Sequence, residues 1–267
     1  MPNLLSVKMH LSLCRIPIKP NFISNSFGLN KLNLHISVDC VVLAYDYPQL
    51  KVLLIEREAV NGIDTKLHKL KLPGHLIYER EDFDVSARRI LFEHTGLENI
   101  FLRQLGVFSD PDRLNPPIDL EWAKKTIHED LNRVVTIAYF ALIQLKSVNR
   151  TPQTIWHPVD DLPELIFDHN LIIRRALRHL RDEMRSKPLC FQLLPKKFTI
   201  RQVFEVYKVI LGISIDKSNF RRKLKHLTFL VPLNEKEKDV SHKPAQLYRF
   251  DKKLYGKYEK GRKEIIF

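Results

Sequence analysis

The sequence predicts an α+β protein in two parts, a mixed strand-and-helix domain followed by a winged helix-turn-helix. Three observations carry this. Between residues 34 and 143, apolar stretches rich in β-branched residues flank a capped helix, the pattern of a sheet with helices against it. From about Leu193 the pattern changes to two short capped helices and then two strands. The charge changes there too: residues 187–267 hold 20 Lys+Arg and 8 Asp+Glu, a net +12, whereas residues 1–186 stand at +1. On charge alone, the basic end fits a polyanionic partner or a solvated surface equally well.

The chain divides into an irregular extension over 1–33, a first domain over 34–186 and a second over 187–267. The extension has no acidic residue, and Lys8, Arg15, Pro17 and Lys19 break its apolar pieces, so no clean signal-peptide core exists. A start codon assigned too early, with Met9 as a later start, is the other reading. The 267 residues, 44% hydrophobic, suffice for one large or two modest cores. Cys14, Cys40 and Cys190 lie far apart without CxxC spacing, which predicts neither a zinc site nor a disulfide framework and fits a reducing, cytoplasmic setting. No apolar run reaches the length of a membrane span, so a membrane is not expected as a partner.

In the first domain, residues 35–45 and 51–57 read as strands, the second buried on both faces because its apolar run is continuous. A third strand is expected over 67–72, leading into Pro73-Gly74 and a short loop. A helix follows, with Asp82 as N-cap and Gly96 as C-cap. Phe83, Ala87, Ile90, Leu91 and His94 fall at helical spacing on its apolar face. Residues 101–108 and 133–143 read as strands. The long polar connection between them is more often a functional loop than filler, and a short helix is expected over 120–130. Residues 171–184 form an amphipathic helix with Arg174, Arg175, Arg178 and Arg181 outside.

In the second domain, Thr199 caps a helix carrying Val203, Val206, Tyr207 and Ile210, which Gly212 stops. Asp216 caps the next, expected to run to about Leu230, with Phe220, Leu224 and Leu227 on one face. Ser218, Arg221, Arg222 and Lys225 lie on the opposite face, with Lys217 and His226 at its edge. Strands at 229–231 and 246–250 flank a charged loop with Lys236, Lys238 and Lys243. A helix pair, its second member loaded with cations, then strand–loop–strand, is the winged-helix plan. Cations there meet phosphates while their donors reach base edges, so Lys217, Ser218, Asn219, Arg221, Arg222, Lys225 and Lys243 are the candidate contacts to double-stranded DNA. The other readings are an ordinary surface helix and an RNA-facing module.

The stretch LPGHLIYEREDFDVSARRILFEHTGL (residues 72–97) resembles the Nudix box. Aligned on Gly96-Leu97, Glu81, Arg89, Leu91 and Glu93 match the family's pattern. His75 stands at its opening glycine, Ile90 at the glutamate after the arginine, and His94 at the last glutamate. The resemblance implies an α/β/α Nudix-like sandwich whose helix carboxylates hold catalytic magnesium. Here only Glu81 and Glu93 remain as residual box carboxylates. Magnesium wants a near-octahedral oxygen cage; an isoleucine supplies no oxygen and an imidazole suits softer metals. The expectation is therefore no catalytic residue, no metal, no cofactor and no enzyme. The alternative is an active pyrophosphohydrolase in which Glu81, Glu93 and Glu79 hold the metal unaided. His75 and His94 as a replacement metal pair compete with packing or hydrogen-bonding roles.

Over residues 34–255 the chain is similar to the NrtR-type Nudix-related transcriptional regulators. The strand HISVDCVVLAYD, the segments SDPDR and RVVTIAYFALI, then LPELIFDHNLIIRRALRHLR, LLPKKFT, DKSNFRRKL and LYRF carry the likeness. It implies a Nudix-like effector domain, a DNA-binding winged helix and a homodimer on a palindromic operator. It offers two effector classes: ADP-ribose-type nucleotides, or free sugars as in arabinose-responsive regulators of Bacteroidetes, with a slight preference for the sugar. Cationic candidates for a pyrophosphate are Arg57, Arg89 and Arg113; His75 and Asp112 complete the candidate effector set. Arg89 has a second reading as an i, i+4 partner of Glu93. The residues after Arg113 are an insertion relative to the family, beside the implied effector pocket.

Overall fold

The computed structural model describes residues 31–60, 69–148, 154–238, 240–241 and 243–260. The extension up to residue 30, and the expected start of the third strand at Leu67, lie outside them.

A long strand, β1 (Leu32–Asp46), organises the first domain. Its C-terminal end pairs antiparallel with β2 (Gln49–Glu56), Leu43 opposite Val52. Its N-terminal half pairs on that same side with β4 (Gly74–Tyr78), Ser37 opposite Leu76. Its other edge takes β6 (Val135–Ile143) in parallel. With β3 (Leu70–Lys71), β5 (Phe101–Phe108) and β7 (Thr154–Pro158), the seven strands run β3-β2-β1-β6-β5, β4 joining β1 and β7 joining β2.

Successive strand side chains face opposite ways, so both faces of the sheet can be apolar. Val38, Cys40, Val42 and Ala44 of β1, with Tyr139, Ala141 and Ile143 of β6, pack against Ala87, Ile90 and Leu91 of α1 (Phe83–Thr95). Val41 and Leu43, with Phe140 and Leu142, pack against Ile172, Ile173, Ala176 and Leu180 of α3 (His169–Met184). A sheet between α1 and α3 is the α/β/α sandwich. The cluster under α3 continues without a break through a 3-10 turn at Leu189–Gln192 into the second domain.

That domain holds α4 (Ile200–Leu211), α5 (Lys217–Lys225), β8 (Leu230–Lys236), β9 (Gln246–Phe250) and α6 (Lys252–Lys260). The caps fall where the local sequence pattern places them. Thr199 forms a capping box with Gln202, Asp216 accepts from the Asn219 N–H, and Gly212 closes α4 in the left-handed region at φ 63°.

Several boundaries differ from the sequence pattern, each for a tertiary reason. Residues 74–78 are a strand because β1 offers them an edge. α5 stops at Lys225, and the Leu227 and Leu230 N–H groups close tight turns that deliver Leu230 into β8. The 114–132 connection carries α2 at Pro117–Ile127, and Trp122, Ala123, Leu114 and Leu131 pack on Leu76 and Ile166, so it is part of the domain wall. Phe83, at an apolar position of α1 by spacing, is 36% exposed. α6 has no counterpart in the sequence reading; its Tyr255 and Tyr258 stack edge-on against Phe229. Among the described residues no helix is long and apolar enough to cross a membrane.

Candidate nucleic-acid interface and effector site

α5 buries Phe220 and Leu224 against Phe204 and Tyr207 of α4, leaving Lys217, Ser218, Asn219, Arg221, Arg222 and Lys225 exposed together. The Arg222 guanidinium donates to Asn219 Oδ1 at 3.0 Å, one turn back. Lys217 also reaches the Phe204 ring, 6.0 Å from its centre. Lys243 is exposed in the loop between β8 and β9. Across this wing Lys197 pairs with Glu235 at 2.6 Å, so one cation near it is already matched.

The box is held by its backbone as much as by its side chains. A Cβ on Gly74 would stand 2.0 Å from Asp39 Oδ1, so only glycine allows β4 to approach β1 this closely. In the loop that follows, Glu81 is clamped by Arg89, whose Nε and Nη2 donate to its two oxygens at 2.7 and 2.8 Å. Burial alone would raise the Glu81 carboxyl, but the Arg89 bonds and charge outweigh it and hold the group below its usual range. The same guanidinium lies over the Tyr78 ring and reaches Glu93 at 3.4 Å. The i, i+4 pair with Glu93 therefore exists, but Glu81 is the main partner.

Ile90, Glu93 and His94, which helical spacing puts near one face, spread across the helix surface. Ile90 is buried, Glu93 is exposed, and His94 lies between, its imidazole lowered to about 4 by burial, with Lys71 and His75 adding to the shift. Steps of three and four residues fall about 60° and 40° on opposite sides of a helical position, so burying Ile90 pushes its two neighbours apart. These residues do not fit magnesium. One box carboxylate is engaged by Arg89, the other faces solvent, and Ile90 contributes no oxygen. Among the described residues no group of three His, Cys, Asp or Glu side chains is arranged to hold a metal ion.

Arg57 and Arg113 lie inside the protein, each side chain 2% exposed. Arg57 donates to Asp119 of the insertion at 2.7 Å and sits over the Trp122 ring. Arg113 donates to both oxygens of Asp168, at 2.8 and 3.2 Å, and lies 3.5 Å from Asp39. Burial raises the Asp168 carboxyl above its ordinary range, against the pull of Arg113. Beside them His169 is enclosed: its Nδ1 accepts the Leu72 N–H at 3.0 Å, and its Nε2 lies 3.6 Å from Asp39 Oδ1. Burial pushes this imidazole down to about 4, so it is neutral at neutral pH.

Of the five effector candidates, His75 and Asp112 are exposed, Arg89 is half-buried and paired, and Arg57 and Arg113 are enclosed. His75 Nδ1 lies 2.7 Å from the Leu76 carbonyl oxygen. None of the five lines the open cleft of ≈ 440 Å³ bordered by Asn115, Pro116, Leu162, Phe167, Asn170 and Arg174. The sequence reading missed Asp39, Asp168 and His169. An aspartate directly before the apolar run 40–44 was the available signal for Asp39. Its partners, Arg113 and His169, lie 74 and 130 residues further on, and nothing local marks them.

The fold class is a Nudix-like domain carrying a C-terminal winged helix of the DNA-binding kind. Residues 190–250 match the family model described as the NrtR DNA-binding winged helix domain. The particular resemblance is to NrtR along both domains. The crystal structure of Shewanella oneidensis NrtR complexed with a 27mer DNA matches with a TM-score of 0.67 and 25% identity, over 84% of this chain and 96% of that one. The "ADPR responsive transcriptional repressor NtrR" of Acinetobacter baylyi is 28% identical, over 80% of this chain and 81% of its own length. A MutT/nudix family protein from Enterococcus faecalis matches with a TM-score of 0.57 and 24% identity, over 85% and 90% of the two chains, a likeness of fold alone.

Proposed function

We propose that this protein is a ligand-responsive transcriptional regulator. It binds operator DNA through the winged helix and an ADP-ribose-type nucleotide through the Nudix-like domain. The observation that carries the reading is the likeness to a DNA-complexed NrtR across both domains at once, with the family model falling on the basic one. The Acinetobacter relative's name supports the effector class. Residues 34–186 are the effector-binding part and 187–267 the DNA-binding part. Lys217, Ser218, Asn219, Arg221, Arg222, Lys225 and Lys243 meet the duplex, and a homodimer places two such surfaces on a palindromic site. The effector acts by binding the two DNA-affinity states unequally. The domain does not hydrolyse pyrophosphates, because losing the metal ligands removes both the Lewis acid and the activated water.

One observation favours a sugar instead. All three arginines suited to a pyrophosphate are engaged internally, with Asp119, Glu81 and Asp168. A thermal-shift panel of ADP-ribose, NAD, pentoses and hexoses separates the two. A ligand present at about a hundred times its dissociation constant stabilises by about 2.7 kcal/mol, a shift of several degrees. Stabilisation by ADP-ribose supports the nucleotide, by a pentose alone the sugar, and by neither class rejects both.

A further inference from the structure

We propose that α3 carries a second DNA contact, a row of arginines that grips the phosphate backbone beside the site entered by α5; this rests on the DNA-binding reading above. Arg174, Arg178, Arg181 and Arg185 recur at steps of four, three and four residues. At about 100° per residue they fall within about 60° of one another, a single stripe on the helix surface. All four are exposed. Arg174, Arg178 and Arg185 form no ion pair among the described residues: the carboxylate of Asp182, exposed one turn from Arg178 and Arg185, pairs with neither, and the half-buried Glu183 meets Arg103 of β5 and Lys187. Neighbouring guanidiniums in a row repel one another unless an anion lies across them.

The stripe's direction is fixed by Arg181. Its Nε donates at 2.8 Å to the carbonyl oxygen of Ile210, in the last turn of α4. The chain then passes through Gly212 and reaches the first residue of α5 at Lys217. The arginine face of α3 therefore looks along the edge of the molecule that carries the turn between the two helices. From Arg174 to Arg185 the helix rises about 16 Å, the length over which one strand of duplex presents roughly five phosphates. A stripe of guanidiniums on that scale matches a phosphate track, and phosphate contacts position a protein on DNA without reading its sequence.

The test uses the full-length protein and a duplex it selects from a random library. The wild type, R174Q/R178Q/R185Q, R174K/R178K/R185K and R222A are titrated with the selected and a scrambled duplex across a salt series. Arg181 is left intact because it also holds α4. Each phosphate contact contributes about 0.9 to the slope of log affinity against log salt. The glutamine variant is expected to lose roughly two to three of that slope and to weaken equally on both duplexes, with an unchanged melting temperature, and the lysine variant to recover the slope. Arg222→Ala instead narrows the gap between selected and scrambled duplex. An unchanged slope in the glutamine variant, with Arg222→Ala still losing preference, overturns this proposal alone. A shift in oligomeric state without a change of slope assigns the row to a contact between copies and overturns it too. A wild type that selects no duplex overturns the DNA reading together with this one.

Discussion

Replacing His169 by asparagine isolates one buried titration. The imidazole is enclosed between the box and the first turn of α3, with Nδ1 accepting the Leu72 N–H and Nε2 facing Asp39. An asparagine oxygen can take the place of Nδ1 as acceptor without a proton to gain. The folded imidazole titrates at about 4, against 6.5 for the free group. The folded pKa lies below the unfolded one, so the unfolded chain binds the proton first as the pH falls. Stability from keeping this group neutral is fully present above about pH 6.5 and lost as the pH falls toward about 4. The whole interval amounts to about 3 kcal/mol, most of it gone by about pH 4.5. Urea unfolding at about pH 7.0, 5.5 and 4.5 measures it. Between the first and last of these, the wild type should lose about 2 kcal/mol more than His169→Asn. His94, also lowered, is present in both proteins and cancels. Parallel pH curves would refute the assignment of a buried neutral His169.

Two further outcomes follow from the site. Arg113→Leu leaves Asp168 and Asp39 facing one another in the interior without their cation; breaking such a pair costs about 3–5 kcal/mol, a fall in melting temperature of roughly 10 °C. A loss of only a degree or two by calorimetry would show that water or a neighbour replaces the guanidinium. Arg222→Ala and Lys225→Ala should each weaken binding to the selected duplex by about 1–3 kcal/mol if the side chain reads a base, while leaving the melting temperature unchanged. Equal affinity in a salt-matched shift assay would remove that residue from the interface.

What the sequence revealed is what short-range chemistry determines. Asp82, Thr199 and Asp216 cap helices because each offers an oxygen to an N–H two or three residues on. Gly96 and Gly212 end them because the left-handed backbone suits glycine. The resemblance added what spacing alone could not, the Nudix-like identity of the first domain. What stayed hidden depends on partners far along the chain. The guanidiniums of Arg57 and Arg113 look like ligand-binding groups in sequence, and only the fold shows Asp119 and Asp168 closing on them. The 114–132 connection reads as a polar loop because its apolar residues are sparse, yet Trp122 and Leu131 suffice to seat it on Leu76. Spacing overstates the length of α5 because Phe220, Leu224 and Leu227 keep helical periodicity past its end, where the pull of β8 on Leu230 prevails.

The central claim joins three properties in one molecule: duplex binding, response to a nucleotide, and no turnover of it. One measurement addresses them together. Full-length protein is bound to its selected duplex, ADP-ribose and magnesium are added, and both the shifted complex and the nucleotide are followed. The account predicts a change in duplex affinity of at least several-fold, with the ADP-ribose recovered intact after prolonged incubation. Release of AMP at a catalytic rate, with duplex affinity indifferent to the nucleotide, would contradict it.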